Sequence, residues 1–183
     1  MEHNANQTFV LQDYYDHPEK YHSVFERYLP YFTILVNATY WTKAYPTFVT
    51  WESLAKLVET HEHPRLAAIA DITCDPNGSV ECTVKCTDSG MPAFRVFPKG
   101  KKTEDGHLGE GIIVLAVDNL PAELPRDASE FFSRSLTPFV PGILQADFDK
   151  PLDKCGLPPE IKRAVIVYKG KLAPDFEYLN QYL

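Results

Sequence analysis

Positive charge is in short supply in this chain: 18 Lys and Arg stand against 25 Asp and Glu, leaving a formal net charge of −7 at pH 7. That sign repels phosphate backbones, so no nucleic-acid partner is expected. Long apolar runs are missing as well. The longest, Gly111 to Val117, falls far short of the ~20 residues that cross a bilayer, and no membrane partner is expected. Cysteine is sparse, and Cys74, Cys82, Cys86 and Cys155 are too irregularly spaced for a disulfide framework; they read as reduced thiols. Cys74, Cys82 and Cys86 lack the fourth ligand of a zinc site, and His61 and His63 around Glu62 read as a solvated helix end, so no metal is expected. Met1-Glu2-His3-Asn4 offers neither the basic and apolar segments of a signal peptide nor the Arg-rich start of a transit peptide. The expected compartment is the cytoplasm, or mitochondria if the chain is part of a longer precursor.

What is present is a foldable core. Apolar residues make up 44% of the 183 and aromatics 13%, enough for one domain or an incomplete pair at roughly 150 residues per domain. Asp16-His17-Pro18-Glu19 resembles a helix start, followed by an apolar stripe at Tyr21, Val24, Phe25, Tyr28 and Leu29 that Pro30 ends. Phe32–Thr39 is a β-branched run expected to be a strand covered on both faces. Thr50 caps a second helix through Trp51, Leu54, Leu57 and Val58, and Leu66–Ile72 forms a second buried strand. From Ser79 to Phe97 the alternation suggests irregular extended segments or a loose hairpin, and Lys99–Gly109 a polar mobile loop. Ile112–Val117 is a third buried strand. Pro125 opens an amphipathic helix that Pro138 and Pro141 kink or end. The tail carries a turn at Lys169-Gly170-Lys171 and a last short helix at Asp175–Tyr182, with no strong strand signal.

Two polar clusters follow buried strands directly: Asp71-Ile72-Thr73-Cys74-Asp75-Pro76-Asn77-Gly78, and Asp118-Asn119-Leu120-Pro121. In open α/β sheets ligands bind beyond the carboxyl ends of the strands, where both clusters would lie. On local sequence a turn-forming role is the better reading of Asp75, because Asp-Pro-Asn-Gly is favoured turn chemistry, and an equal one of Asp118. Gly106, Gly109 and Gly111 run G-x-x-G-x-G ahead of a strand, which is not a dinucleotide fingerprint.

Several segments carry a family resemblance: Tyr15-Asp16-His17-Pro18-Glu19-Lys20-Tyr21; Ile34-Leu35-Val36-Asn37-Ala38-Thr39-Tyr40-Trp41; Ala70-Asp71-Ile72-Thr73-Cys74-Asp75; and the motif D-N-L-P-x-x-L-P-R-x-A-S from Asp118 to Ser129. The chain resembles the family of alanine dehydrogenases, saccharopine dehydrogenases and the lysine-ketoglutarate reductase half of aminoadipic semialdehyde synthase, over nearly its whole length. The resemblance implies an α/β fold: the second half of a Rossmann-like parallel sheet of about three core strands, flanking helices and a C-terminal return segment. Residues 1–120 would be the Rossmann portion and 121–183 the return helix and C-terminal segment.

The same resemblance implies an oxidoreductase of lysine metabolism that reduces the imine of lysine and 2-oxoglutarate to saccharopine with NAD or NADP, the choice between them unread. Asp75 would be the catalytic-cleft carboxylate, holding ribose or substrate or aiding proton transfer. Asn37, Ala38 and Thr39 would line the adenosine side, and Asp118, Asn119, Leu120 and Pro121 the nicotinamide side. The substrate domain and glycine-rich phosphate loop would come from upstream or from a partner chain. The alternative is a non-catalytic remnant or binding and oligomerisation module that keeps the cofactor-facing loops.

Overall fold

The computed structural model describes residues 1–61 and 63–182; Glu62, between the two histidines, lies outside the described residues. The chain divides into two compact units, Met1–Glu123 and a second beginning at Leu124.

The first unit starts with a two-stranded antiparallel pair, β1 (Glu2–His3) and β2 (Tyr21–His22), with helix α1 (Leu11–Asp16) between them. The central sheet holds β3 (Ile34–Asn37), β4 (Ala68–Asp71), β5 (Ala93–Phe97), β6 (Lys102–Asp105) and β7 (Ile112–Leu115), in the order β3-β4-β7-β5-β6. Strands β3, β4 and β7 are parallel, whereas β5 runs antiparallel to β7, and β6 antiparallel to β5. The expected parallel core of three strands is therefore present, extended on one side by an antiparallel hairpin.

Helix α2 (Trp51–Thr60) makes the crossover from β3 to β4. It starts at Thr50 because a capping box satisfies its first donors: Ser53 N donates to Thr50 Oγ1 at 3.0 Å and Thr50 N to Ser53 Oγ at 3.0 Å. Leu54 and Leu57 of α2 pack with Ile69, Phe94, Val96 and Val114 into the core, and the pairing register puts these strand residues on one face of the sheet. On the opposite face Ile34 and Val36 remain 63% and 61% exposed. The expectation that the first strand is covered on both sides is thus corrected: β3 is an edge strand with one apolar face open.

Two other expectations fail. No helix runs from Asp16 to Leu29. Tyr21 is drawn into pairing with His3, and residues Phe25–Tyr31 form a 3₁₀ turn that includes Pro30. The aromatic stripe instead packs Tyr14 and Tyr21 edge to face at 5.3 Å between ring centres. Asp16 receives the Gln12 amide and caps nothing. The polar segment Lys99–Gly109, expected as a loop, contains β6, a charged edge strand of the kind that resists further pairing.

The second unit contains α3 (Pro125–Leu136), a 3₁₀ turn at Thr137–Phe139, α4 (Val140–Leu144) and α5 (Pro159–Arg163), as the proline positions foretell. A short hairpin of β8 (Val167–Tyr168) and β9 (Lys171–Leu172) follows, which the sequence did not signal. Its two-residue turn, Lys169-Gly170, has φ of 50° and 77°, the left-handed pair that matches strand twist. A 3₁₀ segment, Pro174–Tyr182, ends the described chain.

Candidate functional site

The carboxyl ends of β3, β4 and β7 lie side by side, and three loops leave from them. The register pairs Asn37, the last residue of β3, with Asp71, the last of β4. Both are buried, so their polar atoms must find partners inside the protein. Asn37 Nδ2 donates to Asp71 Oδ1 and to Ser79 Oγ, each at 2.8 Å, and Thr39 Oγ1 donates to Asn37 Oδ1 at 2.8 Å. Asp71 also accepts from Thr73 Oγ1 at 2.7 Å on Oδ1 and from Thr83 Oγ1 at 2.6 Å on Oδ2. This network ties the ends of two strands to the segment Ser79–Thr83. The Asn37 side chain is therefore turned inward and fully engaged, and the surface that its segment offers is Ala38, Thr39 and Tyr40, all exposed.

Beyond β4 the chain turns sharply. Cys74 and Asn77 sit at φ of 53° and 55°, left-handed conformations uncommon for non-glycine residues. Gly78 N donates to Asp75 O at 2.9 Å, closing the Asp75-Pro76-Asn77-Gly78 turn. The fourth position needs glycine for lack of room: a Cβ there would lie 2.7 Å from Asp75 Cβ and 2.9 Å from Asp75 O. Asp75 itself is exposed at the rim. Its turn-forming role is real and leaves its carboxylate free to face a ligand.

Beyond β7, Asp118 and Asn119 are exposed, and Asn119 leads into a 3₁₀ turn of Leu120–Ala122 that contains Pro121. This loop and the β4 loop meet at the thiols. Ligand atoms of Cys74, Cys86 and Asp118 all lie within 4.8 Å of one another, which sets Cys74, one residue before Asp75, beside Asp118, one residue before Asn119. Cys74 Sγ donates to Ala116 O at 2.8 Å, and Cys86 Sγ to Cys74 O at 3.2 Å. Burial, reinforced by the Cys86 thiol, pushes Cys74 up to about 12, so the free thiol stays protonated at neutral pH. Burial, and then the nearby Asp71 carboxylate, also pushes Cys82 up to about 12.

The cysteine grouping thus differs from the one weighed on sequence. Cys82 stays in the core next to Asp71, and Asp118 takes its place beside Cys74 and Cys86. Asp71, Ser79 and Thr83, which organise the strand ends, were missed as a network. The available signal was a pair of apolar strands ending in Asn and Asp at matched positions.

An apolar cleft of about 270 Å³ opens next to β3, lined by Phe25, Phe32, Leu35, Phe48 and Thr39 among others. A larger cavity of about 500 Å³ lies between Val58, Leu66, Lys99 and Glu110, at the opposite end of the sheet from these loops. Position beside the strand ends, more than volume, makes the smaller cleft the relevant one.

Residues 43–175, a span that includes the loops after β4 and β7, match the alanine dehydrogenase/PNT C-terminal domain. The chain belongs to that family. It is 38% identical to an alpha-aminoadipic semialdehyde synthase of Arabidopsis thaliana over 98% of its own length and 16% of the relative's. With the mitochondrial alpha-aminoadipic semialdehyde synthase of Bos taurus it shares 30% identity over 92% of its length and 20% of the relative's. A saccharopine dehydrogenase (NAD+, L-lysine-forming) of Emericella nidulans is 33% identical over 61% of this chain and 27% of its own. The resemblance read from the sequence is borne out. The chain spans about a fifth or less of the synthases it matches.

Proposed function

We propose that this family member forms the rear wall of a nicotinamide-dependent site that reduces the imine of lysine and 2-oxoglutarate to saccharopine, in concert with polypeptide that supplies the substrate domain and the diphosphate cradle. The observation that carries the reading is the convergence of the 37–39, 74–78 and 118–121 segments on one rim at the carboxyl ends of three parallel strands. The name of the Emericella nidulans relative carries saccharopine, L-lysine and NAD+, and 2-oxoglutarate comes from the resemblance read in the sequence.

A bound nicotinamide cofactor would supply the hydride for reduction of the imine carbon. The protein's contribution is placement. Ala38 and Thr39 border the adenosine end, held in position by the Asn37–Asp71 clamp behind them. Asn119 and Leu120, stiffened by Pro121, abut the nicotinamide end. Asp75 offers an exposed carboxylate to a ribose hydroxyl or to the substrate amine. The bovine relative is a mitochondrial protein, so mitochondria are proposed ahead of the cytoplasm as the working compartment.

The test is a titration of the 183-residue chain with NADH and NADPH, followed by tryptophan fluorescence, alongside an assay of cofactor oxidation with lysine and 2-oxoglutarate. Saturable binding without turnover is the expected result. Turnover by this chain alone would overturn the shared-site reading, and no binding of either cofactor would remove the nicotinamide assignment. The open edge of β3, with Ile34 and Val36 exposed, favours a second reading, a pairing module that associates through that edge. Light scattering that shows only monomer at high concentration would count against it.

A further inference from the structure

The three-residue cluster at the rim has a chemistry that hydride transfer does not use. Cys74 and Cys86 stand near the two ends of the connection from β4 to β5 and Asp118 follows β7, so two loops deliver two thiols and one carboxylate to a common point. We propose that Cys74, Cys86 and Asp118 form a binding site for a thiophilic divalent cation of the zinc type, with three protein ligands and a fourth position open to water.

Ligand type and spacing both support this site. Two sulfurs and one oxygen suit zinc or cobalt and are poor partners for magnesium or calcium. Tetrahedral zinc with Zn–S bonds of about 2.3 Å needs sulfur atoms about 3.8 Å apart. The donor atoms here already lie within 4.8 Å of one another, so closure asks for movements of about 1 Å or less. Cys86 and Asp118 are exposed and free to make that adjustment by side-chain rotation. Cys74 is the fixed member, buried and held by its left-handed backbone.

Binding would replace two S–H protons, released to solvent, and break the Sγ hydrogen bonds of Cys74 to Ala116 O and of Cys86 to Cys74 O. Two thiolates and a carboxylate around a divalent ion leave the site with a single net negative charge. The ion would fasten the Asp118–Pro121 loop to the β4 loop. The inference rests on the cluster itself and not on the nicotinamide reading.

The experiment is a titration of the reduced, metal-free chain with Co2+ in the absence of any nicotinamide, followed by absorbance. The expected result is a thiolate-to-cobalt charge-transfer band with the visible bands of tetrahedral cobalt. The signal should saturate at one ion per chain and be displaced by Zn2+ but not by Mg2+. Cys86→Ser and Asp118→Asn, both at exposed positions, should each weaken binding at least tenfold while circular dichroism stays unchanged. Cys155→Ser, in the second unit, should bind as the parent does. A chain that develops no charge-transfer band, or bands that survive Cys86→Ser, would overturn the site. Neither result bears on cofactor binding, so failure here is distinguishable from failure of the proposed function.

Discussion

Replacing Thr83 with valine tests the clamp beneath the rim. Thr83 is fully buried, and its hydroxyl donates at 2.6 Å to Oδ2 of Asp71, itself only 1% exposed. Among the described residues this is the one side-chain donor to that oxygen. Valine keeps the shape of the side chain but removes the hydroxyl, leaving a buried acceptor unmatched. Such a loss costs about 1–3 kcal/mol, with carboxylate acceptors towards the upper end, so we expect about 2–3 kcal/mol. Both tryptophans, Trp41 and Trp51, fall in the first unit, so urea unfolding followed by tryptophan fluorescence reports that unit alone. Thr87→Val is the control: its hydroxyl donates to Pro92 O at 2.8 Å from a half-buried position, and about 1 kcal/mol or less should be lost. A Thr83→Val change below about 0.5 kcal/mol, the range of neutral surface substitutions, would refute the clamp.

Gly78→Ala forces the Asp75 turn apart, because its Cβ would meet backbone at 2.9 Å; a loss of about 1–3 kcal/mol and weaker cofactor binding are expected, measured by the same unfolding and titration. Thr50→Ala removes the cap of α2 and should cost about 1 kcal/mol, read from the unfolding midpoint. The Lys20 ammonium and then the Tyr21 hydroxyl, bonded to Asp13, hold its carboxyl below the ordinary 3.8. The resulting stabilisation is present above pH about 4 and is lost as pH falls through the depressed folded value, so Asp13→Asn should flatten acid destabilisation in fluorescence-monitored unfolding across that range. Finally, alkylation of the native chain should modify exposed Cys86 first and spare buried Cys74, Cys82 and Cys155, as peptide mass spectrometry would show.

The parallel half of the fold is legible because each strand is a short apolar run bounded by polar turns, and Thr50 with Ser53 announces α2. The antiparallel half is not. Lys102-Thr103-Glu104-Asp105 has no apolar alternation, since an edge strand beside β5 buries little, and its strand character comes from pairing with Phe94–Phe97. The stripe at Tyr21–Leu29 fits helical spacing, but β1 offers Tyr21 a backbone partner that local pattern cannot reveal. At the site, the loops of Asp75 and Asp118 could be placed at strand ends from the sequence. The inward turn of Asn37, the burial of Asp71 and the approach of Asp118 to two thiols depend on register across separate strands, which no single segment encodes.

In the proposed function three loops act as one ligand surface. Amide chemical shifts of the isotope-labelled chain during titration with NADH test this most directly. Perturbations shared by Ala38, Thr39, Asp75, Asn77, Gly78, Asp118, Asn119 and Leu120, with Lys99 and Glu110 unmoved, are predicted. Shifts that cluster around the cavity of Val58, Lys99 and Glu110, or that touch only one of the three loops, would contradict it.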